Sequence, residues 1–217
     1  PKGVKKLLKD LGKTNALNGD SQKSHGVKTG QNKNLLSKDL NKNLERMKQE
    51  FHIPINKDIV IREFKIMKQL NAFIVYVDGM EDKEIINDYI LRQLMTEQDV
   101  KDNPQISLDD ITNNLLAVNQ TTKHTEFDQS IAGILNGLTA LFIDGCEESI
   151  LIESRGYETR SIVEPKTETV IKGPQEGYNE NLRTNITLIR RTIRNKDLVT
   201  EILPLGEMSN STCALMY

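Results

Sequence analysis

The sequence predicts an α/β protein of two related subdomains, each a mixed β-sheet with packed helices, the second of them incomplete within the 217 residues. Two observations lead to this class. First, short apolar runs of strand length alternate with segments whose apolar residues recur at helical spacing. Second, the motif NKDIV at 56–60 returns as NKDLV at 195–199, and each copy stands between an amphipathic helix and an apolar strand.

The first subdomain is assigned to residues 36–156, and its elements follow from the spacing of apolar residues. A first helix is predicted because apolar residues recur every three or four positions, namely Leu36, Leu40, Leu44, Met47 and Phe51. Strands are predicted in NKDIVIREF (56–64) and NAFIVYVDG (71–79). The second strand is apolar on both faces, which is typical of a central strand covered on two sides.

Three more helices and two more strands complete this subdomain. Glu81 and Asp82 open a helix, since acidic residues in a first turn complement the helix dipole. SLDD (107–110) and TEFD (125–128) resemble capping boxes with Asp in the Glu or Gln place, so a helix is expected at each. Strands are expected in TALFIDG (139–145) and SILIESR (149–155).

The second subdomain rests on the repeat, and residues 157–217 are assigned to a linker and its beginning. Each motif copy follows an amphipathic helix and precedes a strand that ends at a tyrosine, Tyr76 or Tyr217. This repeated order indicates a duplicated helix–strand–strand module. The first copy continues into Asp78-Gly79 and a helix, whereas the second stops at Tyr217, so we expect a fragment of a longer protein.

Residues 1–35 differ from the rest in composition. They contain no aromatic residue, and residues 1–50 carry 12 Lys or Arg against 5 Asp or Glu. Such a segment cannot bury enough apolar surface to offset its ordering entropy, so we expect a disordered basic tail. The alternative is a tail that binds an anionic membrane surface.

The remaining composition favours a soluble globular protein without catalytic chemistry. The net charge of −2 argues neither for nor against nucleic acid, and no histidine or cysteine motif for zinc is present. Cys146 has no histidine near it in sequence, which favours a turn residue over a nucleophile. The carboxylates after the turns at Asp78 and Asp144 lack EF-hand spacing. We therefore expect no enzyme activity, no cofactor and no metal ion.

The segment GPQEGYNENLRTNITLIRR (173–191) is the strongest functional candidate. Its one proline and two glycines restrict the entry to the helix that follows and let another surface come near. It matches neither phosphate-loop pattern, and acidic residues dilute the arginines that a nucleic acid would need. The alternatives left are a solvated basic face and a protein contact surface. The candidate contact residues are Gly173, Pro174, Gly177, Tyr178, Arg183 and Arg190.

Residues 153–193, ESRGYETRSIVEPKTETVIKGPQEGYNENLRTNITLIRRTI, resemble the signature region of the A subunit of spore germinant receptors, the GerA family. IVIREF, FIVYVDGM and LFIDGCEESILIESRGYETR resemble the same family in the same order, so the resemblance covers about residues 36–217. Two positions depart from the family pattern. Gln175 stands where arginine is common, and Tyr178 where phenylalanine is common.

The resemblance implies a hydrophilic N-terminal region on the cytoplasmic side of the spore inner membrane, followed by a membrane part that this chain lacks. It also implies a transporter-like B subunit and a C-subunit lipoprotein as partners, and a homo-oligomer of the A subunit. The expected function is receptor assembly and transmission of the nutrient signal that triggers germination. The alternative is a module that binds a small germinant between the two subdomains. A nucleic-acid partner is not expected.

Overall fold

The structure is a computed structural model that describes residues 34–96, 108–112, 116, 120–156, 178 and 180–217. Residues 34–217 belong to one compact unit. The predicted basic tail at 1–35 falls outside the described residues, apart from its last two positions.

A five-stranded sheet with the order β1-β2-β4-β5-β3 forms the centre, and β6 and β7 form a separate two-stranded sheet. The strands are β1 (Ile59–Ile66), β2 (Leu70–Val77), β3 (Thr121–His124), β4 (Thr139–Ile143), β5 (Ser149–Ile152), β6 (Thr200–Leu205) and β7 (Ser211–Met216). The described helices are α1 (Leu40–Glu50), the π-helix α2 (Ile85–Leu91), α3 (Arg92–Met95), α4 (Leu108–Asp110), α5 (Phe127–Leu135) and α6 (Leu182–Thr192).

The predicted α/β class is confirmed, but the sheet is antiparallel in every described strand pair, whereas a mixed sheet was predicted. Short connections account for two of the four pairs in the central sheet. β1 and β2 are joined by a tight turn in which Met67 and Lys68 have φ angles of 47° and 60°, and β4 and β5 are joined by residues 144–148. Such short connections join antiparallel neighbours, because a parallel pair needs a long crossover.

Helices cover both faces of the central sheet. On one face, α1 and α5 pack over a cluster in which the rings of Phe73 and Phe142 stack with centroids 4.7 Å apart. On the other face, α2 and α3 bury Ile90 and Leu94 against a cluster that includes Ile74. Strand β2 is therefore buried on both faces, as predicted for NAFIVYVDG.

The second copy of the repeat follows the same order, with α6, the motif NKDLV, β6 and β7. In the last strand of each copy, corresponding residues point to corresponding faces of the hairpin. Val75 lies on the α1 side of β2, and its counterpart Met216 is half-buried; Ile74 lies on the α2 side, and its counterpart Leu215 is 50% exposed. The β6–β7 hairpin therefore leaves exposed the face that α2 and α3 cover in the first copy.

Candidate functional site

The candidate functional residues lie where α6 and the turn after it contact the described residues of 34–156, which we call the first module. We call residues 178 and 180–217 the second module, and the contact region between the two the joint. At its centre is an ion pair between Arg190 of α6 and Asp58, which comes just before β1. The Arg190 side chain is fully buried and Asp58 is 4% exposed. Nε and Nη2 of Arg190 donate to the two carboxylate oxygens of Asp58 at 2.8 and 3.0 Å. This bidentate geometry suits a guanidinium and not an ammonium group.

The other hydrogen bonds of Arg190 go to the backbone of its own module. Nη1 donates to the carbonyl oxygen of Asn195 at 2.9 Å, and Nη2 also donates to that of Leu198 at 2.7 Å. A buried ion needs such complete pairing, because taking it out of water costs several kcal/mol. Arg190 therefore fixes the turn after α6 and holds that turn against Asp58.

The two copies of the NKD motif have different contacts. In the first copy, the side chain of Asn56 accepts a hydrogen bond from the Thr200 N–H at 3.0 Å, and the Lys57 N–H donates to the Thr200 carbonyl at 2.8 Å. In the second copy, the side chain of Asn195 accepts from the N–H of Asp197 at 3.0 Å. The first copy thus forms hydrogen bonds with the first residue of β6, whereas the second copy forms a local turn.

Three polar contacts surround the buried ion pair. In each of them the cation belongs to α6 or to the turn after it, and the acceptor belongs to the first module. Because their side chains are partly exposed, each contact contributes about 1 kcal/mol or less to stability. They are Arg183 with Asp78 at 2.5 Å, Arg194 with Asn136 at 2.7 Å, and Lys196 with Glu50.

α6 packs tightly against the turn at 78–82, which follows β2. Gly79 has a φ angle of 92°, and a Cβ atom there would lie 2.4 Å from Oγ1 of Thr187. Both the backbone conformation and the approach of α6 therefore require glycine. The same turn holds the chain after β5, since the Asp82 N–H donates to the Ser154 carbonyl at 2.7 Å.

A cavity of about 200 Å³ lies beside this turn. Its polar lining residues are Tyr76, Asp78, Glu81, Lys83, Asn87 and Arg183. Burial raises the pKa of Glu81, and the negative charge of the nearby Asp78 raises it further. The hydrogen bond that the Glu81 carboxylate accepts from the Gly79 N–H, at 2.7 Å, lowers this pKa. Burial likewise raises the pKa of Tyr76. The lining carries both signs of charge, which suits a small polar or zwitterionic molecule.

The structure places three of the six predicted contact residues, and Gly173, Pro174 and Gly177 lie outside the described residues. Tyr178 is 72% exposed. Arg183 is half-exposed and is paired with Asp78. The role of Arg190 is revised: because its side chain has no exposed surface and its partner Asp58 belongs to the same chain, it closes the joint and does not face a neighbouring subunit.

Sequence reasoning missed Asp58, Asn56 and Gly79 as site residues. The repeated NKD motif could have indicated Asn56 and Asp58 as contact residues, but it was interpreted only as evidence of duplication. Asp78-Gly79 was interpreted only as a turn. Within the described ranges, no group of three or more His, Cys, Asp or Glu residues could hold a metal ion. No helix in those ranges is long and apolar enough to cross a membrane.

Comparison with known proteins identifies the family. The family model for the Bacillus/Clostridium GerA spore germination protein matches residues 45–217. The chain belongs to the GerA family. The resemblance noted for residues 153–193 is thereby confirmed, and with it the connection to spore germination.

Individual GerA-family relatives and a solved structure agree with this assignment. Spore germination protein KA of Bacillus subtilis is 31% identical over 185 residues, which cover 84% of this chain and 33% of the relative. The uncharacterized membrane protein YfkQ of the same organism is 33% identical over 161 residues, which cover 74% of this chain and 31% of the relative. The chain thus spans about a third of the length of these relatives.

The solved structure is the crystal structure of the N-terminal domain of the A subunit of the Bacillus megaterium spore germinant receptor GerK3. It superposes with a TM-score of 0.65 at 26% sequence identity, and the match covers 84% of this chain and 66% of that one. The fold of this GerA-family chain is therefore close to that of a germinant receptor domain.

Proposed function

We propose that this chain is the N-terminal domain of the A subunit of a spore germinant receptor, and that it acts in receptor assembly and in transmitting the nutrient signal that triggers germination. The likeness to the GerK3 domain supports its place in such a receptor. The joint is the observation that carries the proposed role. In the described part of the second module only Ile186 and Val199 are buried apolar residues, and modules with a mainly polar contact are expected to move relative to one another.

The proposal extends to the surroundings of the domain. The receptor would contain a transporter-like B subunit and a C-subunit lipoprotein, and the A subunit would form a homo-oligomer. A C-terminal part outside this chain would lie in the spore inner membrane, with this domain on the cytoplasmic side. The matched residues cover only about a third of each relative, and YfkQ is named as a membrane protein, and both facts support a further membrane part.

The exposed face of the β6–β7 hairpin supports the proposal that residues 157–217 begin a second subdomain. This face presents apolar side chains that are 37–60% exposed, namely Leu203, Leu205, Leu215 and Tyr217. The corresponding face in the first copy is covered by α2 and α3, which follow β2 in sequence. We expect a corresponding helix of the longer protein to cover the hairpin.

Charge exchange at Arg183 tests the proposed function. Arg183→Glu in the full-length receptor should lower the germination response of spores, because it places a carboxylate against Asp78. If Arg183 acts through Asp78, the exchange Arg183→Asp with Asp78→Arg should restore the response; if it meets a neighbouring subunit, the exchange should fail. Lys42→Glu, on an exposed part of α1, is the matched control for charge reversal.

Two outcomes would count against the proposal. Normal receptor assembly and germination in Arg183→Glu spores would show that Arg183 is not part of the contact surface. Deletion of the whole gene tests the receptor function itself. Unchanged germination of the deletion spores on a panel of amino acids, sugars and nucleosides would contradict that function.

The cavity beside the 78–82 turn favours a second candidate function, the binding of a small germinant between the two modules. Lys83 and Asn87 are exposed at its rim, so Lys83→Ala and Asn87→Ala should remove binding without unfolding the protein. Titration calorimetry with the same nutrient panel is the test. A heat of binding that the unmodified chain shows and both variants lack would support binding in the cavity. The absence of heat with every nutrient would contradict binding in the cavity.

A further inference from the structure

The joint and the central sheet are held together by different kinds of contact. Both faces of the sheet are covered by clusters of apolar side chains. Apolar burial resists opening in proportion to its area. Polar contacts instead exchange for contacts with water when the joint opens, so the net free energy of each is small beside that of a buried apolar cluster. The buried polar residues of the joint are Asn56, Asp58, Thr187, Arg190 and Thr200. Opening the joint therefore costs less free energy than opening the sheet.

The same polar contacts allow only one closed position. The guanidinium of Arg190 meets both carboxylate oxygens of Asp58 and two carbonyl groups at fixed distances. A shift of α6 along its axis would leave a carboxylate buried and unpaired, which costs more than a shifted apolar contact. Intermediate positions are therefore disfavoured, and the joint is either closed or open.

The closed joint also contains an unsatisfied polar group. The Oγ1 atom of Thr200 is buried and has no hydrogen-bond partner among the described residues. Such a hydroxyl has lost its contact with water without compensation, which destabilises the closed joint. Opening the joint would return this hydroxyl to water, which favours the open state.

From these observations we propose that the joint opens locally, with α6 and the turn at 193–200 leaving the first module while the five-stranded sheet stays folded. Two of the partly exposed contacts are ion pairs, Arg183 with Asp78 and Lys196 with Glu50, and in both the cation lies on one side of the joint and the carboxylate on the other. Dissolved salt screens such pairs, so the open state becomes more populated as ionic strength rises. This motion within the chain goes beyond the proposed place of the domain in a receptor.

Hydrogen exchange of the 217-residue chain, followed by mass spectrometry, tests the proposal. Peptides from 182–200 should exchange faster than peptides from β2 and β4. Their exchange should increase further when ionic strength is raised from about 0.01 M to about 1 M, over which the screening length falls from about 30 Å to about 3 Å. The exchange of β2 and β4 should change less over this range.

Variants of the ion pair sharpen the test. Arg190→Met leaves Asp58 buried and unpaired, and should speed exchange in 182–200 by about 100-fold or more. The double variant Arg190→Met with Asp58→Leu should restore much of the protection, because an apolar pair replaces the ion pair, although the carbonyls of Asn195 and Leu198 lose their donor. Arg92→Met, at an exposed pair with Asp88, is the matched control and should leave 182–200 unchanged.

Two results would overturn local opening. In the first, exchange in 182–200 and in the central strands would rise by the same factor in Arg190→Met, which is global unfolding. In the second, salt would raise exchange in 182–200 of the unmodified chain no more than in β2 and β4. The salt series uses the unmodified chain, so it tests local opening even if Arg190→Met does not fold.

Discussion

Gly79→Ala tests how closely α6 approaches the first module. The glycine has a φ angle of 92°, a region that costs a residue with a Cβ atom about 1–2 kcal/mol. The new Cβ atom would also lie 2.4 Å from Oγ1 of Thr187. Relieving that overlap requires the Thr187 side chain to rotate or α6 to shift, at a typical overpacking cost of about 1–3 kcal/mol. The expected loss is therefore about 2–5 kcal/mol in the free energy of unfolding.

Gly145 provides a matched control in the other Asp-Gly turn. Its φ angle is 81°, and a Cβ atom there would meet nothing within 4 Å. Gly145→Ala should therefore cost only the backbone contribution of about 1–2 kcal/mol. Urea denaturation followed by circular dichroism measures both variants, with equal m-values as the check that the unfolded states are comparable.

A double-mutant cycle isolates the steric contribution. Thr187→Ala removes the atom that a Cβ at position 79 would strike, so in this background Gly79→Ala should cost about as much as Gly145→Ala. If Gly79→Ala and Gly145→Ala cost the same in the unmodified chain, to within about 0.5 kcal/mol, the close approach of α6 is refuted.

Three further predictions concern the first module. Because burial raises the pKa of Glu81 above its ordinary value of 4.5, the folded state binds this proton more tightly, and stability falls as pH rises from about 4.5 through the raised pKa. Glu81→Gln should flatten this fall in urea denaturation between about pH 4.5 and pH 7, and an unchanged slope would contradict it. Phe142→Ala, in the stacked pair with Phe73, should cost about 3–5 kcal/mol by the same assay. Asp39→Ala removes the cap that accepts from the Asn41 N–H and should cost about 0.5–2 kcal/mol.

The central elements could be predicted because their sequence signals are local. Strand β2 is apolar on both faces, and α1 has a regular apolar stripe, so neither needed distant information. Strand β3 was missed, because TTKH is short and polar and is a strand only through its pairing with β5. The π-helical form of α2 was also missed, since no spacing in its sequence distinguishes it from an α-helix.

The joint could be predicted only in part, because its partners are far apart in sequence. Apolar residues recur at helical spacing in and after α6, at Ile186, Ile189 and Ile193, yet Ile193 is 47% exposed and Arg190 is buried. The buried face is therefore rotated towards Arg190. The cause is the carboxylate of Asp58, 132 residues away, and nothing in the local pattern shows which arginine meets it.

The most direct test of the account uses spores whose full-length receptor carries Asp58→Leu with Arg190→Met. This pair is expected to keep the joint closed while replacing its central ion pair with an apolar contact. The account predicts that the receptor accumulates to the normal level, but that the spores no longer lose optical density when the nutrient panel is added. Normal germination at a normal receptor level would contradict the claim that the joint transmits the signal.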